Sequence, residues 1–293
     1  MLKELKTDTG FKTPILGVFS ALAGGMLLIS PLGIGQSGQY GYAPGKMPPE
    51  VQSALEDYDS EPANTATALK TARALINEGR LTGNAEIVAK ADSILSSMSG
   101  RENMTEALKL RAISQQYLHN FDEALSLLEL VLSFDGKDAT ALLTRANILL
   151  VQGKIGAAKE ACVPLGTAGR YDLLLLCDST AKALGPEAKG AADQLNTVLE
   201  SRRMDPALIG YAHSVLGEIA MFQGDNALAQ AQLEKAQAAD PQTLRIRMLH
   251  ADSLLALGQP EAALKALDIP VETDAFLLRR ALALRAEGKL FRE

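Results

Sequence analysis

A constant offset constrains the fold of this chain more than any other feature. Within the stretch GYAHSVLGEIAMFQGDNALAQAQLEKAQAADPQT, residues 210–243, Gly217, Gly224 and Ala229 recur as Ala251, Gly258 and Ala263, each 34 residues later. A fixed period of this length marks stacked units, each of which buries its apolar face only against its neighbour. The unit reads as two short helices and a turn. Gly217 is a small residue where a facing helix must come close, Gly224 ends the first helix, Ala229 is a second small contact, and Asp240-Pro241 closes the unit. Stepping back along the chain gives Ala146, Gly153 and Ala158, and one period earlier Ala112 and Ala124, with His119-Asn120 where the other units carry Gly.

A further unit lies between these in YDLLLLCDSTAKALGPEAKGAADQLNTVLESRRMDP, where Gly185, Ala192 and Asp205-Pro206 mark the turns. The step from Ala146 to Gly217 is 71 residues and not twice 34, which places three extra residues near Ser201 to Met204. Degenerate units flank the set. One runs from Thr67 to Ser97, with Gly79 as its break and Ala91 in its second helix, and a final first-type helix runs from Asp274 to Gly288.

The combination of small residue, helix-ending Gly, second small residue and closing Pro at this period resembles the tetratricopeptide repeat (TPR) family. The resemblance implies an all-α fold, a right-handed superhelical solenoid of antiparallel helix pairs, with about six to seven repeats over residues 62–293. It also implies that first helices line a concave groove and second helices form the convex back.

Composition agrees with a helical stack and narrows the partners. Hydrophobic residues are 47% and charged residues 22% of the chain, while aromatics are 4% with no Trp, so platforms for stacking bases or sugars are scarce. The formal net charge is -6, which argues against nucleic acid, where phosphate neutralisation dominates affinity.

The first residues read differently. Lys3, Lys6 and Lys12 precede an apolar run from Pro14 to Gly35 without a charged residue, near the roughly 20 residues a membrane span needs. Residues 1–35 are therefore expected to form an N-terminal hydrophobic helix that serves as a signal peptide or a retained membrane anchor. The basic flank keeps the amino terminus inside and sends the repeats across the membrane, to the periplasm or to its face of the inner membrane. No Cys precedes Cys162, which excludes a lipoprotein anchor. Residues 36–61, rich in Gly and Pro at their start, are expected to be a flexible tether, with Pro62 opening the first helix.

Candidate chemistry is sparse. His119, His213 and His250 fall in a turn and in two different first helices, and no pair has the helical spacing of a metal site. No Ser, Cys or carboxylate sits in a nucleophile-elbow, Walker or zincin pattern. Neither catalysis, nor a metal, nor a small-molecule cofactor is expected. Cys162 ends one second helix and Cys177 begins the next first helix, which leaves two alternatives, a disulfide in an oxidising compartment or a pair of buried thiols.

What remains is the groove that the resemblance implies. Its residues are the first-helix positions not used for packing: Lys109, Ile113, Gln116 and Tyr117; Leu143, Asn147, Leu150 and Val151; Leu174, Cys177, Ala181 and Leu184; Tyr211, Ser214, Glu218, Met221 and Phe222; Arg245, Met248, Asp252 and Leu255. The middle of this set is apolar and polar groups flank it, which suits an extended peptide or a partner helix. Lys109, Tyr117, Leu143, Asn147, Tyr211, Glu218, Phe222, Arg245, Met248 and Asp252 are the candidate partner-binding residues, while Leu174 and Leu184 have helix packing as an alternative role. A targeting segment joined to such an array resembles bacterial exported or membrane-anchored TPR proteins. Two functions follow: a non-catalytic scaffold of the cell envelope that recruits a protein partner, or the leading part of a larger protein carrying an enzyme or an outer-membrane barrel after residue 293.

Overall fold

The computed structural model describes residues 47–98, 104–183, 185–201, 204–271 and 273–288, and the expected leader and the start of the tether lie outside them. The described residues form a succession of helices: α1 (Pro49–Ser60), α2 (Thr65–Thr82), α3 (Ala85–Ser97), α4 (Met104–Tyr117), α5 (Phe121–Phe134), α6 (Ala139–Val151), α7 (Ile155–Cys162), α8 (Pro164–Thr167), α9 (Tyr171–Lys182), α10 (Ala188–Ser201), α11 (Pro206–Phe222), α12 (Asn226–Ala239), α13 (Leu244–Ala256), α14 (Pro260–Ala266) and α15 (Asp274–Ala286). None of these helices is both long and apolar enough to cross a membrane.

Local chemistry sets the helix ends. The Asn64, Asn84, Asp138, Asp205 and Asp225 side chains accept hydrogen bonds from backbone N–H groups in the first turns of α2, α3, α6, α11 and α12. First helices stop on a left-handed residue: Gly153, Gly224 and Gly258 have φ of 73°, 79° and 69°, and His119 occupies the same place with φ 62°. Asp240 accepts from the N–H groups of Gln242 and Thr243, so the Asp-Pro pair turns the chain into α13.

Helix pairs α2/α3, α4/α5, α6/α7, α9/α10, α11/α12 and α13/α14 stack in order, each second helix also touching the next first helix. First helices of successive pairs approach each other, whereas no two second helices are close-packed neighbours, so the first helices line the inner side. The small residues of the period explain the stacking. Ala112, Ala124, Ala146, Ala158, Ala229, Ala251 and Ala263 are all buried, and a Cβ added to Gly217 would lie 2.6 Å from Leu233 Cγ on α12. Mid-helix Gly costs up to about 1 kcal/mol relative to Ala, and here it admits a helix that Ala would hold off.

Three expectations change. Residues 49–60, expected to belong to the tether, form α1, because Val51, Ala54, Leu55 and Tyr58 share one face and that face packs on α2. Pro62 lies in the turn between the two helices, and α2 begins at Thr65. Gly79 breaks nothing. It is buried inside α2, where an added Cβ would lie 2.5 Å from Val88 Cγ2, and Gly83, with φ 69°, ends the helix. The expected insertion near Ser201 to Met204 falls on a junction whose residues 202 and 203 lie outside the described residues.

Candidate functional site

The inner face is built by first helices, and its two ends are tied by ion pairs between successive repeats. Arg245 on α13 pairs with Glu218 on α11 at 2.5 Å and donates to Ser214 Oγ at 3.2 Å. One period later Arg279 on α15 pairs with Asp252 on α13 at 2.7 Å, the two side chains only 7% and 8% exposed. At the other end Arg73 on α2 pairs with Glu106 on α4, and Lys109 bridges Glu106 and Asp138, the residue that caps α6.

Burial shapes the charges in these pairs. It pulls Arg245 down most, but the Glu218 charge, Tyr211 and the Glu218 hydrogen bond outweigh it, and the guanidinium titrates above its ordinary range. Burial likewise lowers Lys109, and its bonds to Asp138 and Glu106 more than compensate, so the ammonium is held above its usual value. At Asp252 burial wins: the carboxyl is pushed up although Arg279 pulls it down.

Between α6 and α11 the ladder is interrupted. Among the described residues no ion pair joins α6 to α9 or α9 to α11. Other links replace it. Cys162 and Cys177 form a disulfide between α7 and α9, with Cα atoms 5.8 Å apart, and the Thr180 and Tyr211 hydroxyls are hydrogen-bonded at 2.9 Å across α9 and α11. Pro164 splits the second helix of this unit into α7 and the short α8, bringing the end of α7 against α9.

The sequence-derived groove residues divide accordingly. Leu143, Ile113, Gln116, Cys177, Ala181 and Ser214 are buried and serve the stack. Leu174 packs against the core, as its alternative role requires, and Leu184 lies outside the described residues. Glu218, Arg245, Asp252 and Lys109 are engaged with other side chains of the chain. Tyr117 donates its hydroxyl to the Gly79 carbonyl at 3.1 Å. Asn147, Leu150, Val151, Tyr211, Met221, Met248 and Leu255 keep part of their surface in solvent, and Phe222 is 52% exposed. A partly open apolar band therefore lies between two ion-paired ends.

The sequence reading missed Arg73, Glu106, Asp138, Thr180 and Arg279, because their contacts, apart from the Lys109–Glu106 pair within α4, join different units and have no local spacing. A signal was present: Glu218 and Asp252, like Arg245 and Arg279, are one period apart. The histidines serve the packing. His213 and His250 place Nδ1 2.8 Å and 2.7 Å from the Gln232 and Gln237 side-chain oxygens, and burial lowers both pKa values. Among the described residues no group of three or more His, Cys, Asp or Glu is placed to hold a metal ion.

Residues 214–275, about a fifth of the chain, match the family described as tetratricopeptide repeat. No curated protein gives a significant sequence match to the chain. Among solved structures it is similar to a tetratricopeptide repeat protein from Parabacteroides merdae ATCC 43184, at 15% identity and a TM-score of 0.47, covering 81% of this chain and 88% of that one.

Proposed function

We propose that this chain is a non-catalytic interaction scaffold of the bacterial cell envelope, which docks an extended peptide or partner helix on its inner, first-helix face. Tetratricopeptide repeats generally mediate protein–protein interaction, and residues 214–275 match that family. The observation that carries the reading is the apolar band of Leu150, Val151, Tyr211, Met221 and Phe222, left partly open between ion-paired ends. An extended segment gains affinity by covering such a band and orientation from the polar groups beside it.

The envelope location rests on two features. The basic flank and uncharged run from Pro14 to Gly35 suit an export signal or an inner-membrane anchor, with the repeats in the periplasm. The Cys162–Cys177 disulfide suits an oxidising compartment. Intact-mass measurement of the mature protein in membrane and periplasmic fractions tests the location. Recovery of the whole chain from the cytosol alone contradicts it.

Pull-down from the native host tests the groove, comparing wild type with Phe222→Asp and with Tyr211→Ala combined with Phe222→Asp. Partner recovery should fall at least about tenfold for both variants while their thermal melts stay cooperative, as expected when a charge enters an apolar contact. Equal recovery by all three proteins removes the inner face as the binding surface.

A further inference from the structure

Helix α15 is apolar on both of its faces. One face belongs to the stack: Phe276 and Ala283 are buried, Arg279 pairs with Asp252, and Arg280 donates to the Leu267 and Ile269 carbonyls. The opposite face carries Asp274, Leu277, Leu278, Ala281, Leu284 and Arg285, which fall in one stripe because they recur at steps of three and four residues. Leu277 and Leu278 are 45% and 54% exposed, and Ala281 and Leu284 keep part of their surface in solvent. A helix that is apolar all round belongs in an interior.

The other units show what this stripe is shaped to meet. Gly288, with φ 71°, follows α15, and Ala281 stands seven residues before it, as Ala146, Gly217 and Ala251 stand seven before Gly153, Gly224 and Gly258. In α11 that small residue faces the unit's own second helix: an added Cβ would lie 2.6 Å from Leu233 at Gly217, and 2.7 Å from Asp240 at Gly210. The lower residue of one helix meets the higher residue of the other, so a second helix runs antiparallel to its first. On α15 the same position is prepared for a close helix, yet among the described residues the stripe stays open to solvent. Its end charges indicate what covers it. Asp274 and Arg285 are exposed at opposite ends of the stripe, and neither has an ion pair among the described residues.

We propose that the open stripe of α15 binds the same stripe on a second copy of this chain, the two helices running antiparallel about a two-fold axis. Each α15 then takes the place and the direction of a second helix for the other. The register is self-complementary. With Asp274 set opposite Arg285 of the second copy, Leu278 falls opposite its Ala281, so a large side chain meets a small one and both ion pairs close, one on each side of the axis. A parallel pair would instead set Asp274 against Asp274 and Arg285 against Arg285, and it would align the two helix dipoles unfavourably. The stripe is about 17 Å long, which makes a small contact and a reversible, micromolar dimer. The inference is independent of the groove reading, and it places two inner faces on one particle.

Sedimentation equilibrium of the full chain over a concentration series tests it, in a density-matched mild detergent that shields the apolar run at residues 14–35. Wild type should pass from monomer to dimer, and Leu278→Asp should weaken the dimer at least about tenfold by placing a charge in its centre. Charge reversal tests the register. Asp274→Arg alone, or Arg285→Asp alone, turns both ion pairs of the two-fold contact into like charges and should weaken association about tenfold. Asp274→Arg combined with Arg285→Asp restores both pairs and should return the dimer to near wild-type strength. Lys90→Asp, at an exposed position on α3, should change nothing. Thermal melts establish that each variant is folded, and all the substituted side chains are exposed. A chain that stays monomeric at every concentration overturns the proposal. Association that survives Leu278→Asp assigns it to another surface and overturns it too, and a double reversal as weak as the single ones overturns the antiparallel pairing. The effect of Phe222→Asp on partner recovery is independent of these outcomes, so failure here and failure of the groove reading are distinguishable.

Discussion

In the α11/α12 hairpin two helices close on glycine, whereas from α7 to α9 they are joined by a covalent bond. Gly210 and Gly217 let α12 approach so closely that an added Cβ would lie 2.7 Å from Asp240 Cβ or 2.6 Å from Leu233 Cγ. No side chain of comparable volume could be placed there, and shape alone defines the pairing. The middle unit lacks this fit. Its preceding second helix is split at Pro164, its first helix is tied to the neighbours without ion pairs, and the Cys162–Cys177 bond supplies the link. Regular repeats are held by packing and by a periodic ion-pair ladder; where the period slips, a disulfide and one hydroxyl pair take over. The interruption also leaves the inner face apolar there, which is the property the proposed function uses.

Three perturbations should separate the two regions. The largest effect is expected at the end of the ladder. Arg279→Met leaves Asp252 buried without its cation and should cost about 4 kcal/mol in chemical denaturation, most of it recovered when Asp252→Leu is added. If the single variant is as stable as wild type, the ladder is not what holds α13 to α15. Next is the bridge. Cys162→Ala with Cys177→Ala opens a link of sequence separation 15 and should cost about 3 kcal/mol, and reductant should destabilise wild type to a similar degree but leave the double variant unmoved. Third is shape: Gly217→Val drives a branched side chain into Leu233 and should cost about 2 kcal/mol, with no dependence on reductant.

A smaller effect distinguishes the regions by pH. His213 and His250 face the α11–α13 part of the stack, and the stretch from α7 to α10 contains no histidine. Burial lowers both pKa values, so the folded chain keeps the rings neutral while the unfolded chain binds protons near about pH 6.5. Their contribution is complete above that value and is lost as pH falls toward the folded pKa. The melting temperature should drop between about pH 7 and about pH 5.5, and drop less in His213→Gln with His250→Gln. An unchanged pH slope in the double variant would remove the histidines from the account.

Much of the architecture was legible because it is periodic. The small residues at 112, 146, 217 and 251 had to meet a facing helix, and they do. His119 showed its left-handed role by standing where three other units carry Gly. The first unit was misread for a physical reason: Gly79 and Gly83 lie one turn apart, and sequence alone does not distinguish a glycine needed for close approach from one needed for backbone conformation. The site was less legible. Glu218, Arg245 and Asp252 looked available because each is charged and lies on the inner face, but their partners come from neighbouring repeats and only the stacked structure joins them.

The central claim is that a partner lies on the first-helix face, and two exposed phenylalanines offer the most direct test. Phe222 ends a first helix and is 52% exposed; Phe134 ends a second helix and is 65% exposed. A photo-crosslinking phenylalanine analogue placed at each position in turn should capture the native partner from position 222 and not from position 134. Capture from position 134 alone would contradict the account.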